Sequence, residues 1–177
     1  MTTIPPPEPP KIEDIENYHP NGKLKEKGIL VNGKKDGKWI ENHVNGWGDR
    51  WRLEGTYKKD KKDGLWKRWT VTYTKEWLTH EDNYKDGKKD GLFIRYTWNG
   101  NKHFEGSYKD GKKDGSWIIW RDVDIKQSEV TYKDGKENGL SIWYDLNGIK
   151  EGEVTYKNGK MVGKWKWVNE DSSEKKE

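Results

Sequence analysis

The segment Tyr108-Lys109-Asp110-Gly111-Lys112-Lys113-Asp114-Gly115-Ser116-Trp117 decides the fold, because close copies of it recur along the chain. The second glycine of each copy marks the repeat. These glycines are Gly37, Gly64, Gly91, Gly115, Gly139 and Gly163. Their spacing of 27 or 24 residues divides the chain into about six units. A period of this size is typical of repeat proteins, in which each unit buries its surface against its neighbours.

Each unit is predicted to be a β-hairpin. Short aromatic or β-branched stretches, such as 54–57 and 117–120, are bounded by Gly and Asp clusters, which is typical of strands. The Asn-Gly pairs at 99–100 and 147–148 lie where the second strand should reverse, and both residue types tolerate positive φ. Helix is disfavoured because the chain has no alanine, twenty glycines and no long stretch of apolar residues at helical spacing.

The predicted fold is therefore all-β: a single elongated, twisted antiparallel sheet of about six stacked β-hairpins, which together form a solenoid. Twelve strands at about 4.8 Å each would give a body roughly 55–60 Å long. Aromatic residues make up 13% of the chain and can each bury roughly 150–250 Å², so a thin aromatic core is expected. The net charge of only +4 weakens the self-repulsion that would favour disorder.

Three segments are expected along the chain. Residues 1–17 are predicted to be a flexible, proline-rich tether, with a polyproline II ligand for a partner domain as the alternative. Residues 18–168 form the repeat array, and 169–177 form a polar tail. The three extra residues in each of the segments 41–53 and 70–82 are expected to lie in irregular loops at one edge of the array.

The sequence places only weak limits on the cellular location and the redox chemistry of the protein. The chain has no cysteine, so disulfides and thiol chemistry play no part. No apolar run approaches the roughly 20 residues that span a bilayer, and residues 1–10 lack the apolar core of a secretory signal. We therefore expect a cytoplasmic protein.

The unit Tyr-Lys-Asp-Gly-Lys-Lys-Asp-Gly-x-Trp resembles the membrane occupation and recognition nexus (MORN) repeat. It is most similar to the bacterial variant of that repeat in toxin–antitoxin-associated, antitoxin-like proteins. Matching copies begin at Tyr84, Tyr108 and Tyr132, whereas Leu30, Asp60 and Ser141 depart from the pattern. The resemblance covers about 150 of the 177 residues. It implies a twisted sheet of stacked hairpins that acts as a scaffold for protein interaction.

Catalysis finds little support in the residues. The four histidines are isolated from one another and from ligand-spaced carboxylates, so no metal site is predicted. No nucleophile motif or phosphate-binding glycine loop is present, and Asp122 and Asp124 do not continue into a calcium loop. We expect a non-enzymatic protein without a cofactor.

We expect the partner to be another protein, contacted through exposed aromatic residues on one sheet face and in the irregular loops. The candidate binding residues are Trp69, Tyr96, Trp120 and Tyr144 in the second strands, and Trp47, Trp51 and Trp77 in the longer connections. Paired lysines at the turns are candidate anion contacts, namely Lys61, Lys62, Lys88, Lys89, Lys112 and Lys113.

Several alternative functions stay open at this point. The lysine pairs could attract an anionic membrane surface, although aspartates beside them lower the local charge and make nucleic acid a poor partner. Tryptophan platforms could bind carbohydrate, and the family resemblance implies neutralisation of a partner protein as a further alternative.

The two ends of an open sheet expose unpaired backbone groups, which invite association. The first strand is expected near 23–31 and the last near 164–168, and both are rich in lysine. Because charged side chains protect an edge, we expect the isolated protein to be a monomer.

Overall fold

The computed structural model describes residues 7–168, which form one open antiparallel sheet with no helix in that range. The strands are β1 (Ile12–Tyr18), β2 (Leu24–Val31), β3 (Lys34–Val44), β4 (Arg50–Lys58), β5 (Lys61–Val71), β6 (Glu76–Lys85), β7 (Lys88–Tyr96), β8 (Lys102–Lys109), β9 (Lys112–Lys113), β10 (Gly115–Asp122), β11 (Ile125–Lys133), β12 (Lys136–Tyr144), β13 (Lys150–Lys157) and β14 (Lys160–Trp167). Their order in the sheet follows their order in the chain, except that the short β9 pairs only with β8. The prediction of an all-β sheet of stacked hairpins is confirmed.

Two-residue turns close the hairpins at one edge of the sheet. In the turn between β8 and β9, Asp110 and Gly111 both have positive φ, at 49° and 84°. This is the geometry of a type I′ turn, whose twist matches that of the flanking strands. The Asn-Gly pairs at 99–100 and 147–148 instead lie in longer connections at the other edge, where only the glycine has positive φ.

The second glycine of each unit lies at a bulge, which in unit four interrupts the strand between β9 and β10. Gly37 has a φ of 79°, and the register between β2 and β3 shifts between Lys27 and Ile29. A bulge inserts extra residues on one strand and re-aims the side chains that follow. Here it directs the ring of Trp39 over Gly28 of the preceding strand.

Three units share this contact between a tryptophan ring and a glycine. The pairs are Trp39 with Gly28, Trp66 with Gly55, and Trp117 with Gly106. A β-carbon built on Gly106 would lie 2.3 Å from the ring of Trp117, so the ring occupies space that any other residue would fill. The indole N–H groups of these tryptophans donate to the carbonyls of Ile29, Thr56 and Ser107 at 3.2, 3.0 and 3.1 Å.

These contacts build the core. Trp39 and Trp66 are each 2% exposed and Trp117 is 7% exposed. Tyrosines from the following unit join neighbouring tryptophans edge-on: Tyr57 lies 6.0 Å from Trp39 and 4.9 Å from Trp66 between ring centroids. Edge-to-face pairs of this kind add about 0.5–1.5 kcal/mol each beyond their buried area.

Units without the glycine either lack the regular tryptophan or place it elsewhere. Asp82 stands at the glycine position of unit three, opposite Phe93, and Val130 stands there in unit five, which has Ser141. In the last unit Val154 fills the position, and Trp165 shifts onto Gly152. In all three units a side chain stands where the ring would lie: tryptophan is replaced by Phe93 in unit three and by Ser141 in unit five, and the ring of Trp165 is displaced in the last unit.

The N-terminal boundary differs from the prediction. Residues 12–17, expected to belong to the tether, form most of β1, which pairs with β2 along its length. Ile15 lies directly opposite Gly28, the glycine beneath Trp39, so the first unit has a neighbour on its outer side. The first edge strand is therefore β1 rather than the segment 23–31, and thirteen strands lie side by side instead of twelve. The predicted tail at 169–177 lies outside the described residues.

The extra residues of the early units lengthen strands. Both β3 and β5 have 11 residues, whereas β10 has 8. The expectation that these residues form irregular loops is wrong. Trp51 lies in β4 and Trp77 in β6, because their β-prone neighbours continue the ladder instead of looping out.

Replacing Gly106 by alanine is expected to lower the free energy of unfolding by about 2–3 kcal/mol, because the new methyl group meets the ring of Trp117 in a packed site. Gly46 is the matched control. A β-carbon at residue 46 would have no atom within 4 Å, and Gly46 has no positive φ, so Gly46→Ala should change stability by less than about 0.5 kcal/mol. Urea unfolding measures both, and equal effects would contradict the packing argument.

A double-mutant cycle tests whether the glycine and the tryptophan act as one pair. Gly106→Val and Trp117→Ser should each destabilise, by clash and by cavity formation. Combined, they recreate the Val130–Ser141 arrangement of unit five inside unit four. The double variant should therefore be more stable than additivity predicts, by about 1–3 kcal/mol. Additive losses in urea unfolding would show that the two positions are independent.

The last edge strand, β14, carries the exposed residues Lys164 and Lys166. Replacing both with valine should promote end-to-end association, because it removes the charges that protect an unpaired edge. Static light scattering should show a monomer for the wild type and larger species for the variant. Lys38→Val/Lys88→Val, which changes exposed lysines inside the sheet, is the control and should stay monomeric. A wild-type dimer, or a monomeric edge variant, would contradict this prediction.

Candidate functional site

The two faces of the sheet differ in character. The face that bears Trp39, Trp66, Phe93 and Trp117, called the aromatic face below, holds the core rings. On the opposite face, glutamates of the first strands stand opposite residues such as Ile94 and Ile118 in the second strands. The aromatic face also contains a groove of about 500 Å³ that extends over units two to four, from Trp51 to Trp117. We refer to it as the central groove.

The structure separates the two members of each lysine pair. The first members, Lys61, Lys88 and Lys112, are exposed beside the two-residue turns. The second members turn onto the aromatic face, since consecutive residues of a strand point to opposite faces. Their amines lie 4.0–4.9 Å from the ring of the same unit and 4.7–5.4 Å from the tyrosine of the next unit: Lys62 with Trp66 and Tyr84, Lys89 with Phe93 and Tyr108, and Lys113 with Trp117 and Tyr132.

Unit one shows the same arrangement with a carboxylate added. The amine of Lys35 donates to Glu41 Oε1 and to Glu26 Oε2, both at 2.8 Å. The hydroxyl of Tyr57 donates to Glu41 Oε1 at 2.9 Å. Burial alone would lower the pKa of Lys35, but its two glutamate partners raise it. Burial and the charge of Glu41 hold the pKa of Tyr57 far above its usual value. We call this lysine–tyrosine arrangement the carboxylate clamp.

The clamps of units two and four contain no carboxylate. Lys62 and Lys113 have no hydrogen bond or ion pair to a side chain within residues 7–168, and burial lowers the pKa of each amine. The position of Glu41 is taken by Arg68 in unit two and by Ile119 in unit four. The charges of Glu41 and Asp82 act on Lys62 and that of Glu137 acts on Lys113, but without a hydrogen bond they do not offset the cost of desolvating the amines.

Unit three is intermediate. The amine of Lys89 lies 2.5 Å from Asp82 Oδ1. Burial alone would lower the pKa of Lys89, but the hydrogen bond and charge of Asp82 raise it. Asp82 is also the residue at the glycine position of this unit, so the same side chain stands where the regular tryptophan ring would lie, opposite Phe93, and supplies the counter-ion.

A second row of basic side chains crosses the groove. Arg68, His80 and Arg95 lie directly opposite one another on β5, β6 and β7. Arg68 lies 5.0 Å above Trp51 and Arg95 lies 5.7 Å above Phe104. Burial and the charge of Arg68 lower the pKa of His80, which keeps the imidazole neutral near pH 7. Among the described residues, Asp82 is the single carboxylate that lines the central groove, against six lysines and arginines.

The aromatic residues predicted in the second strands lie on the opposite face. Trp69, Tyr96, Trp120 and Tyr144 are half-buried there. Tyr96 donates its hydroxyl to Glu81 at 2.9 Å, and burial together with this bond raises the pKa of Tyr96 to about 12. Arg52 lies 5.2 Å from the ring of Trp69. The structure does not bring these four residues together with the lysines of the central groove.

The other predicted tryptophans are divided between two places. Trp51 and Trp77 both pair with Thr70, so they share the aromatic face at the end of the groove. Trp51 is also stacked on His43, with 5.3 Å between ring centroids. Trp47 is 93% exposed at the tip of the connection between β3 and β4.

Sequence reasoning missed a row of which Trp47 is the first member. Each of the next connections on this edge also presents one exposed apolar residue at its tip. They are Tyr73, Trp98, Val123 and Leu146. Their spacing of 23–26 residues follows the repeat and is visible in the sequence once the turn positions are known.

Within residues 7–168 there is no group of three or more His, Cys, Asp or Glu side chains that could hold a metal ion. The same residues include no helix that is long and apolar enough to cross a membrane. No family model and no curated protein matches the chain. The resemblance to MORN repeats therefore stays a prediction that rests on the repeated motif.

Proposed function

We propose that this protein is a non-catalytic scaffold that binds another protein through the central groove of its aromatic face. The observation that carries the proposal is the excess of basic side chains in that groove. Lys62 and Lys113 are half-buried beside aromatic rings without a hydrogen bond or ion pair to a carboxylate among residues 7–168, and Arg68 and Arg95 add further charge. Groups that are already partly desolvated and lack a partner favour a ligand that supplies the missing charge.

The row of exposed apolar tips supports a second contact with the same partner. Trp47, Tyr73 and Trp98 are 80–93% exposed on one edge of the sheet. Large exposed apolar side chains that recur in a row mark interaction sites more often than isolated ones do. In the proposal, the groove supplies charge recognition and the edge supplies apolar area.

The earlier candidates and alternatives can be ranked on this basis. Trp69, Tyr96, Trp120 and Tyr144 are weaker candidates than the groove, since they pack among charged neighbours on the opposite face. For an anionic membrane, the exposed row Lys61, Lys88 and Lys112 would be the contact. For carbohydrate, Trp51 is the groove tryptophan with an exposed part, because Trp66 and Trp117 are buried. Neutralisation of a toxin-like partner is a special case of protein binding. We also propose that the protein lies in the cytoplasm, and cell fractionation tests this location.

Site-specific photocrosslinking in the source cell tests the proposal. A photoreactive phenylalanine is placed at Arg95 in the central groove, at Trp98 on the edge, or at Tyr144 on the opposite face. Arg95 and Trp98 are exposed, so these substitutions should not disturb the fold. We expect positions 95 and 98 to capture the same protein and position 144, the matched control, to capture none.

Two results would contradict the proposal. Capture from position 144 alone would move the site to the opposite face. Absence of any cross-linked protein, together with flotation of the purified protein on vesicles of anionic lipid or retention on a glycan array, would favour the membrane or carbohydrate alternative. In the membrane case, Lys61→Gln/Lys88→Gln/Lys112→Gln should abolish flotation.

A further inference from the structure

The clamp of unit one shows how this fold binds a carboxylate. Glu41 accepts hydrogen bonds from the amine of Lys35 and the hydroxyl of Tyr57, at 2.8 and 2.9 Å. The lysine and the tyrosine come from consecutive units, so the site exists wherever both repeat positions are kept. Lys62 with Tyr84, and Lys113 with Tyr132, keep both.

What differs in units two and four is the residue that would supply the carboxylate. Arg68 replaces Glu41 in unit two, and Ile119 replaces it in unit four. The two lysines are left with a half-buried charge and no hydrogen-bonded carboxylate in the described part of the chain, although the charges of Glu41 and Asp82 act on Lys62 and that of Glu137 acts on Lys113. Their contacts with the neighbouring rings match those of Lys35, whose amine lies 4.1 and 5.1 Å from its two rings.

We infer that the clamps of units two and four bind two carboxylates of an acidic, extended segment in the partner protein. Each incoming carboxylate takes the place that Glu41 takes in unit one, and Arg68 strengthens the first of the two sites. This inference rests on the proposed function and names the chemistry of the partner. The segment runs along the central groove, across the strands.

The separation of the two clamps sets the spacing of the acidic residues. Lys62 lies in β5 and Lys113 in β9, four strand steps apart, which corresponds to about 19 Å at about 4.8 Å per step. An extended chain rises about 3.3 Å per residue, so six residues cover about 20 Å and place both side chains on one side. The occupied clamp of Lys89 and Asp82 lies between the two sites and needs no ligand carboxylate.

Titration calorimetry with two synthetic peptides tests this spacing. Both have the same composition and are rich in proline and serine, but one has two glutamates six residues apart and the other has them adjacent. The spaced peptide should bind the wild-type protein about tenfold more tightly, since it alone fills both clamps. A third peptide, with phosphoserine in place of each spaced glutamate, identifies the anion. Equal affinities of the first two peptides, or binding of the phosphopeptide alone, would overturn the inference.

Variants of the protein assign the binding to the clamps. Lys62→Gln and Lys113→Gln should each weaken the spaced peptide about three- to tenfold. Lys35→Gln is the matched control, because it changes the same repeat position in a clamp that Glu41 already fills, and it should leave affinity unchanged. Arg68→Glu should weaken binding more than Arg68→Gln does, since it supplies an internal carboxylate to Lys62. An equal loss in Lys35→Gln would show that only net charge matters.

The cross-link from position 95 separates this inference from the proposed function. If Lys62→Gln/Lys113→Gln abolishes both peptide binding and the cross-link, the carboxylate inference and the proposed function are both supported. If the double variant keeps the cross-link and the spaced peptide does not bind, the carboxylate clamps are not the contact, while the scaffold function remains. Circular dichroism of each variant confirms that the sheet is intact.

Discussion

The contact of a tryptophan ring with a glycine on the neighbouring strand is the constraint on which this sheet depends. The ring of Trp117 occupies the volume where a β-carbon of residue 106 would be, and its N–H satisfies the carbonyl of Ser107. Such a close approach requires the ring to be aimed across the strand, which the bulge at Gly115 achieves through its positive φ. A single contact thus explains three features of the repeat. They are the glycine that follows the first-strand glutamate, the second Asp-Gly pair, and the aromatic residue two positions after that pair.

That contact also determines what the rest of the aromatic face can be. A single sheet has no second layer to cover its rings, so neighbouring tyrosines and the stems of lysines must do so. Each covering lysine brings its amine into a partly desolvated place between two rings, where it gains cation–π attraction of roughly 0.5–2 kcal/mol. Partial burial of the amine then favours a directly paired carboxylate, and among the described residues the ion pair forms in unit one with Glu41 and in unit three with Asp82, and not in units two and four. The basic character of the central groove is therefore a consequence of how the core is covered.

The sequence predicts the architecture well because a 24-residue period with Asp-Gly turns and aromatic columns leaves few alternatives to stacked hairpins. It fails at β1, since Ile12–Tyr18 contains neither a turn glycine nor the repeat motif and is recognisable only by its pairing with β2. It also could not choose between the two aromatic columns. Trp117 and Trp120 have identical side chains three residues apart, and which of them is buried depends on the glycine in the adjacent strand. Nor could the sequence show that the two lysines of a pair have different surroundings. Only the pleat of the strand and the bulge after Lys62 bring the Lys62 amine to Trp66.

In this sheet some repeat positions are the same in every unit, such as the second glycine, and others differ from unit to unit. The residue four after the second glycine behaves in the second way: it is Glu41, Arg68, Arg95, Ile119, Trp143 and Trp167 in successive units. All six lie on the aromatic face and in register across the strands, so they form a continuous row in which charge passes from acidic to basic to apolar. The tryptophan–glycine contact beneath this row does not depend on their identity. Variation at this position therefore changes the charge and polarity of the row while the sheet that carries it stays the same.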